Sequence, residues 1–281
     1  MSSAKPEQSN LPSKIKRFLY VGDIVGQTGL ALIERQLPEL KRRYKVDCVI
    51  AQAENVSNGR GTTPADFRRL LRAGVDFCTG GNWSLWEKDI TPSLNDPHQP
   101  IIRPANHIQG TPGLGWKYLD MPFGKILVVS LLGQIVGRDS KLKMENPLVT
   151  IDRILEETDN QQLVARVVNF HGDYSSEKVV IGFYLDGRVS AVIGDHWHVP
   201  TADARVLPKG TAHVTDVGMV GALNSSLGVK ADLIIDRWRN DTKNHNILEI
   251  RKPWQFNALM FDVDTATGLS LRAKAVQELF T

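Results

Sequence analysis

Cysteine, long apolar runs and net charge of one sign are all scarce in this chain. Only two cysteines occur among 281 residues, and Cys48 and Cys78 both lie in apolar stretches that predict buried strands. Neither has a second cysteine or a histidine at zinc-finger spacing. This excludes a disulfide framework and a thiolate metal site, and it favours reduced thiols in the core of a cytoplasmic protein.

The sequence also lacks the segments that would place it in or across a membrane. No apolar stretch approaches the roughly 20 residues that a membrane helix needs, and the polar first residues lack the apolar core of a signal peptide. A formal net charge of +3 gives no strong signal for nucleic acid. We therefore expect a cytoplasmic protein in which a disordered tail over residues 1–14 precedes a single domain over residues 15–281. Its oligomeric state stays open, a homo-oligomer included.

Predicted strands and helices alternate from residue 16 to residue 193. Apolar runs predict strands that end at Val21, Ala51, Thr79, Phe170 and Ile193. Helical spacing predicts helices over residues 30–44 and 64–73, the second with Thr63 as its N-cap. Such alternation favours βαβ units on a largely parallel sheet. From about residue 210, short extended runs suggest a second sheet packed on the first.

Polar side chains with metal-binding chemistry follow these strands. They are Asp23, Glu54, Asn55, Asn82, His171, His196 and His198. In open α/β sheets, ligands bind at the carboxyl ends of the strands. Oxygen and imidazole ligands without thiolate suit Fe, Mn, Zn or Co better than Ca. Each residue alone is more often structural, but the set together favours a site for two divalent transition metal ions.

Two metals held in this way are typical of phosphoester hydrolases. A carboxylate such as Glu54 can bridge two ions ~3.5–4 Å apart, so that a bridging hydroxide attacks and the ions clamp both oxygens of the displacement. If His196 and His198 lie on a strand, their rings share a face and Trp197 points away. Asp173, near His171, could support the ligands or could simply begin a helix.

The same segments resemble the YmdB-like family of bacterial metallophosphoesterases, within the calcineurin-like superfamily. The motifs are Gly22-Asp23-Ile24-Val25-Gly26, Glu54-Asn55, Arg103-Pro104-Ala105-Asn106, Ser176-Glu177-Lys178, His198-Val199-Pro200-Thr201-Ala202-Asp203 and Thr215-Asp216-Val217-Gly218-Met219. The resemblance runs from about residue 16 to beyond residue 230. It implies a four-layer α/β/β/α sandwich, hydrolysis of phosphodiesters such as 2′,3′-cyclic nucleotides, and two metal ions, iron or manganese.

The resemblance also implies how the ligands divide between the two metals. One metal would be held by Asp23, Glu54, Asn55 and His198. The other would be held by Glu54 as the bridge, with Asn82, His171 and His196. The implied ligand set is therefore the same as the set chosen from the strand ends.

The chain departs from the family pattern beside these ligands. Trp83 stands where the family has its proton-donating histidine, Asn169 replaces an aspartate, and Asp195 precedes the histidine pair. Indole is a hydrogen-bond donor but not a general acid at neutral pH. Loss of a positioned acid typically lowers a rate by ~10²–10⁴, so we expect reduced activity.

Three interpretations follow. The first is an active phosphodiesterase in which His107 substitutes as the acid or Trp83 stacks on a nucleobase. The second is a metal-binding family member with little or no hydrolysis that acts as a regulatory or structural subunit. The third is an unrelated α/β binding protein in which the ligand-type residues occur by coincidence.

Overall fold

The computed structural model describes residues 14–134, 136 and 143–281. Of the predicted tail, only Lys14 falls within these ranges, and its carbonyl accepts a hydrogen bond from the Thr265 N–H at 2.8 Å. The rest of that prediction lies outside the described residues.

The described residues form thirteen strands and six α-helices. The strands are β1 (Ile15–Val21), β2 (Asp23–Ile24), β3 (Cys48–Gln52), β4 (Phe77–Thr79), β5 (Trp116–Met121), β6 (Gly124–Leu132), β7 (Leu163–His171), β8 (Ala191–Asp195), β9 (Arg205–Val206), β10 (Ala212–Val214), β11 (Met219–Ala222), β12 (Trp254–Asp264) and β13 (Leu269–Phe280). The helices are α1 (Gly26–Tyr44), α2 (Pro64–Arg72), α3 (Thr91–Asn95), α4 (Pro147–Glu157), α5 (Ser175–Tyr184) and α6 (Ala231–Asn240). Thr63 caps α2 as predicted, because its hydroxyl accepts the Asp66 N–H at 3.2 Å.

The strands build two mixed sheets. The first has the order β2-β11-β12-β1-β3-β4, with β13 paired antiparallel to β12 from Trp254 to Asp264, and the second has the order β5-β6-β7-β8-β10-β9. Strands β1, β3 and β4 run parallel to one another, and so do β6, β7, β8 and β10. The early βαβ units are therefore present as the sequence predicts.

Three apolar clusters define four layers. Alternate residues of a strand face opposite sides of its sheet, so Phe18 of β1 packs between the sheets against Ile126 of β6. Their neighbours point outward: Leu19 packs with α1 and α2, and Leu127 packs with α4 and α5. The layers are thus helices, first sheet, second sheet and helices.

The prediction that the chain after residue 210 builds the second sheet was wrong. The second sheet comes mostly from the middle of the chain, whereas β12 and β13 are long strands of 11 and 12 residues that join the first sheet. Asn257 and Asp262 interrupt the apolar pattern of β12, and for this reason the sequence predicted a shorter strand there. Both are satisfied across the fold, since Asn257 donates to the Met219 carbonyl at 2.7 Å and Asp262 pairs with Arg17 at 2.6 Å.

The carboxyl ends of the parallel strands from both sheets meet at one edge of the sandwich. The Tyr20 hydroxyl on β1 donates to Asp195 at the end of β8 (2.9 Å), and Gln52 at the end of β3 donates to the same carboxylate (3.1 Å). These bonds join the edges of the two sheets and place the loops after β1, β3, β4, β7 and β8 together. In the described part of the chain, no helix is long and apolar enough to cross a membrane.

Candidate metal centre

Three of the predicted ligands gather around the ring of a fourth, His171. Its Nε2 lies 2.9 Å from Glu54 Oε1 and 3.0 Å from Asn82 Oδ1, and its ring centroid is 4.4 Å from that of His196. Glu54, His171 and His196 each offer a ligand atom, and these atoms all lie within 4.8 Å of one another. Gly81 makes this approach possible, since a Cβ there would lie 2.3 Å from Glu54 Oε2 and 2.5 Å from His171 Nε2.

The other three predicted ligands form an adjoining group. His198 Nε2 lies 3.3 Å from Asn55 Oδ1 and 3.8 Å from Asp23 Oδ1. The backbone N–H of His196 donates to Asp23 Oδ2 at 3.2 Å, which connects this group to the first. The structure therefore brings all seven predicted residues together.

Hydrogen bonds on the far side of two rings set which nitrogen is free. His171 Nδ1–H donates to Asp195 Oδ1 at 2.7 Å, and His198 Nδ1–H donates to the Leu227 carbonyl at 3.0 Å. In the neutral ring, each bond assigns the proton to Nδ1 and directs the Nε2 lone pair at the ligand groups, which is the arrangement that metal-binding histidines show. Burial lowers the pKa of His198 to about 4, so its ring is neutral at pH 7.

The centre holds more acceptors and negative charge than its own protons can satisfy. Asp23 Oδ1 is buried without a hydrogen-bond partner among the described residues, and His171 Nε2 faces two acceptor oxygens. Burial, and then the Asp195 charge, raise the pKa of Asp23 well above its ordinary value. Burial lowers the pKa of His171, but the Glu54 and Asp195 carboxylates outweigh it and raise that pKa well above its ordinary value. A divalent cation would satisfy these atoms, so the donor set fits a metal.

The expectation that His196 and His198 share one face of a strand was wrong. Strand β8 ends at Asp195, and both histidines adopt positive φ, at 103° and 62°. Such backbone is unusual for residues other than glycine. Between them Trp197 turns its indole under the Lys178 ammonium, 4.0 Å from the ring centroid, and donates Nε1–H to the Asp173 carbonyl. Both imidazoles reach the centre from this irregular loop.

A buried ion pair that sequence reasoning missed holds this loop. Lys178 on α5 is fully buried, and it donates to Asp216 Oδ2 and to the Asp195 carbonyl, both at 2.7 Å. Asp216 also accepts the backbone N–H of Trp197 at 2.9 Å and that of Gly218 at 2.9 Å. Both Lys178 and Asp216 belong to the family motifs, and this could have marked them as functional. Nothing in the sequence indicates that their side chains form an ion pair.

Asp195 is a second positioning group that the sequence did not reveal. Its carboxylate accepts hydrogen bonds from four donors, which are Tyr20 Oη, Gln52 Nε2, Asn169 Nδ2 and His171 Nδ1. The Asn169 bond is 2.5 Å, and Ser130 donates to the other side of that amide at 2.8 Å. The carboxylate that the resemblance expects at position 169 is thus supplied by position 195, one hydrogen bond away.

A cavity of about 520 Å³ opens over the centre, a size typical of small-molecule sites. Glu54, Asn55, His196 and His198 form its floor, and its walls include Arg60, Trp83, Trp197 and Trp238. The backbone N–H of Trp83 donates to Glu54 Oε2 at 2.9 Å, which fixes residue 83 beside the proposed ligands.

His107 does not line this cavity. It is buried, forms a β-bridge with Met144, and has its pKa lowered to about 4 by burial and by the Arg103 charge. The suggestion that His107 substitutes as the acid therefore has no geometric support.

Known proteins resemble this chain along most of its length. The model of the YmdB-like protein family matches residues 19–276. A Bacillus subtilis (strain 168) protein named 2′,3′-cyclic-nucleotide 2′-phosphodiesterase is 36% identical over 260 residues, which are 92% of this chain and 96% of that protein. This extent excludes a coincidental arrangement in an unrelated protein.

Solved structures resemble the whole fold. The crystal structure of a novel phosphatase from Mycoplasma pneumoniae superposes with a TM-score of 0.87 at 30% identity and covers 94% of each chain. The crystal structure of a hypothetical protein from Thermus thermophilus gives a TM-score of 0.84 at 32% identity, covering 94% of this chain and 100% of that chain. The predicted fold class, a four-layer α/β/β/α sandwich of the calcineurin-like metallophosphoesterase type, is confirmed.

Proposed function

Because the chain belongs to the YmdB-like protein family, we propose that it hydrolyses phosphodiesters with two divalent metal ions. Its proposed substrates are 2′,3′-cyclic nucleotides or related small phosphodiesters, as the name of the Bacillus subtilis relative suggests. One observation carries the proposal: seven side chains of metal-binding chemistry from five separate segments converge at the floor of one cavity and directly below it. Among the described residues, a buried Asp23 oxygen there has no hydrogen-bond partner.

The residues divide into two ligand groups around one shared carboxylate. Asp23, Asn55 and His198 would hold one ion, and Asn82, His171 and His196 would hold the other, with Glu54 between them. Iron or manganese is the proposed metal, and zinc or cobalt suits the same donors. Bound ions would supply Lewis acidity and an activated water for displacement at phosphorus.

The side chains of this protein set the limits of that reaction. Water adds to phosphorus, one P–O ester bond breaks, and the departing oxygen needs a proton. Trp83 occupies the position beside the ligands from which that proton would come, and its indole cannot give one at neutral pH. We therefore propose slow turnover when the leaving group is an alkoxide, and better turnover when it is a phenolate.

The presence of Trp83 beside the proposed ligands favours a second candidate function. With Trp83 beside Glu54 in place of the family's proton-donating histidine, the protein would bind metal yet hydrolyse little, and it would act as a regulatory or structural subunit. Bound metal with no turnover would support this candidate over the first.

Metal content and turnover, measured together, test the proposal. The purified protein should contain up to two transition metal ions per chain and should hydrolyse bis(4-nitrophenyl) phosphate faster than 2′,3′-cyclic AMP. Replacing His196 by alanine should lower both metal content and turnover, whereas His98→Ala, at an exposed site outside the cavity, serves as the matched control. Full turnover by metal-free protein would contradict the proposal.

A further inference from the structure

A tight loop ties Arg60 to one of the proposed metal ligands. Residues Asn58, Gly59 and Gly61 all have positive φ, at 55°, 84° and 73°. The loop is closed by the Ser57 N–H, which donates to the Gly61 carbonyl at 3.0 Å. The Asn55 amide donates to the Gly59 carbonyl at 3.0 Å. The backbone of Arg60 is thereby fixed relative to the Asn55 side chain.

The Arg60 guanidinium rests on two tryptophans that are also tied to the ligands. Its Cζ lies 4.7 Å from the centroid of the Trp83 ring and 5.3 Å from that of Trp86, and the two rings meet edge to face at 5.2 Å. Trp83 follows Asn82 and donates its N–H to Glu54. An aromatic platform of this kind holds a guanidinium by cation–π attraction. The charge therefore has a defined position above the floor of the cavity.

This guanidinium has donors to spare. Arg60 is exposed, lines the cavity, and forms no ion pair or side-chain hydrogen bond with any residue in the described ranges. Several other arginines in the described ranges are occupied: Arg17 binds Asp262, Arg69 binds Glu34, and Arg103 binds backbone carbonyls. A planar guanidinium with free N–H groups matches the oxygens of a phosphate in a bidentate manner.

The position of Arg60 points to a phosphate other than the one that reacts. Trp83 lines the cavity, but Trp86, the other half of the platform, is 54% exposed, so the guanidinium lies at the rim and not on the floor with the ligands. We propose that Arg60 binds a second phosphate of the substrate. This inference rests on the proposed function and narrows its substrate class to phosphodiesters that carry a further phosphate, such as short oligonucleotides with terminal phosphates.

A pair of substrates that differ only in terminal phosphates tests the inference. The dinucleotides ApA and pApAp share one internal diester, and the wild-type protein should have a lower KM for pApAp. Arg60→Gln should lower kcat/KM for pApAp by about tenfold, mostly through KM, and several times more than for ApA. Added salt should weaken the preference for pApAp in the wild type, because an exposed ion pair is screened.

Two further variants separate charge, geometry and general surface effects. Arg60→Lys keeps the charge but loses the planar fork, so it should retain only part of the preference. Arg68→Gln removes an exposed arginine on α2 that has no ion pair in the described ranges and does not line the cavity, and it should leave the preference as it is. If Arg60→Gln lowers kcat/KM equally for ApA and pApAp, Arg60 contacts the reacting phosphate and the inference is overturned. The inference is also overturned if Arg60→Gln changes kcat/KM for neither substrate.

A binding measurement keeps this inference separate from the proposed function. Calorimetry should show that the metal-loaded wild type binds adenosine 3′,5′-bisphosphate more tightly than AMP, and that Arg60→Gln removes most of the difference. If no phosphodiester is turned over but this difference is found, the proposed hydrolysis fails and the phosphate site stands. If turnover is found but Arg60→Gln binds both ligands as the wild type does, the phosphate site fails alone.

Discussion

The floor and the rim of the cavity are built in different ways. At the floor and directly below it, Asp23, Glu54 and His171 are at most 1% exposed. Each makes a directed hydrogen bond to another segment: Asp23 accepts from the His196 backbone, Glu54 accepts from the Trp83 backbone, and His171 donates to Asp195. At the rim, Trp238 is 86% exposed, and the Arg60 guanidinium has ring contacts but no hydrogen bond or ion pair with the part of the chain that the structure describes. A change on the floor leaves buried polar atoms unpaired, which is costly. A change at the rim exposes polar atoms to water, which can hydrogen-bond to them.

This difference explains where the chain departs from its family pattern. The seven candidate ligands keep the expected identities, while Trp83 in the cavity wall does not. One departure does lie below the floor, where a carboxylate at position 195 and an amide at position 169 stand together. The two side chains are joined by a hydrogen bond, so the buried charge stays in the same cluster and the exchange is compensated.

The largest effect should come from breaking the ion pair under the floor. Lys178→Met leaves the Asp216 carboxylate buried and unpaired, and we expect a loss of ~3–5 kcal/mol in the free energy of unfolding. Because the Trp197 loop loses its support, metal content should fall as well. Denaturant unfolding and elemental analysis measure the two effects. The exposed pair of Arg188 and Asp152 supplies the matched control, since Arg188→Met should cost less than about 1 kcal/mol.

The double variant Lys178→Met/Asp216→Asn separates two effects of the ion pair: its support of the loop that carries Trp197, and the cost of leaving one buried charge unpaired. It removes both charges, so stability should recover in part, but the bond from Lys178 to the Asp195 carbonyl is still lost and metal content should stay low. Normal metal content in the single variant would show that the loop does not depend on this pair.

Sequence reasoning could predict that the seven candidate ligands lie together because parallel strands end at one edge of a sheet, and residues after those ends must lie close together. It could not find the conformation of residues 196–198, since positive φ at two histidines follows from tertiary contacts with Asp216 and Leu227. Nor could it place β12 beside β1, because that pairing joins residues such as Phe18 and Phe261, far apart in the chain. Long-range partners decided both outcomes.

A smaller effect should follow from removing the carboxylate that orients His171. Asp195→Asn keeps the shape of the side chain, but its amide group can no longer accept from all four donors. Loss of such a supporting carboxylate typically lowers metal affinity by about 10–100-fold, which a competition titration with a chelator would measure. The fold should persist, because the apolar clusters on either side are unchanged.

Exchanging the two side chains sharpens this test. In Asn169→Asp/Asp195→Asn the amide at 195 can still accept from His171 and donate to a carboxylate at 169, so metal affinity should recover in part. Recovery is expected to be incomplete because Tyr20 and Gln52 would then face an amide nitrogen. A double variant no better than Asp195→Asn would show that the carboxylate is required at position 195 itself.

The smallest effect, and the only gain, is expected at the rim. Trp83→His restores the residue type that the family pattern has there, and the Glu54 bond to the residue 83 N–H fixes where the new ring begins. We expect turnover of 2′,3′-cyclic AMP to rise by about tenfold, which is below the ~10²–10⁴ of a well-placed acid. The gain is limited because the substitution also removes the ring that holds the Arg60 guanidinium in place. Turnover of bis(4-nitrophenyl) phosphate should rise less, since a nitrophenolate leaves without a proton. Trp83→Phe, which keeps a ring but adds no acid, is the control. If Trp83→His binds metal normally yet gains on neither substrate, protonation is not what limits the reaction, and the regulatory or structural function becomes the better account of this protein.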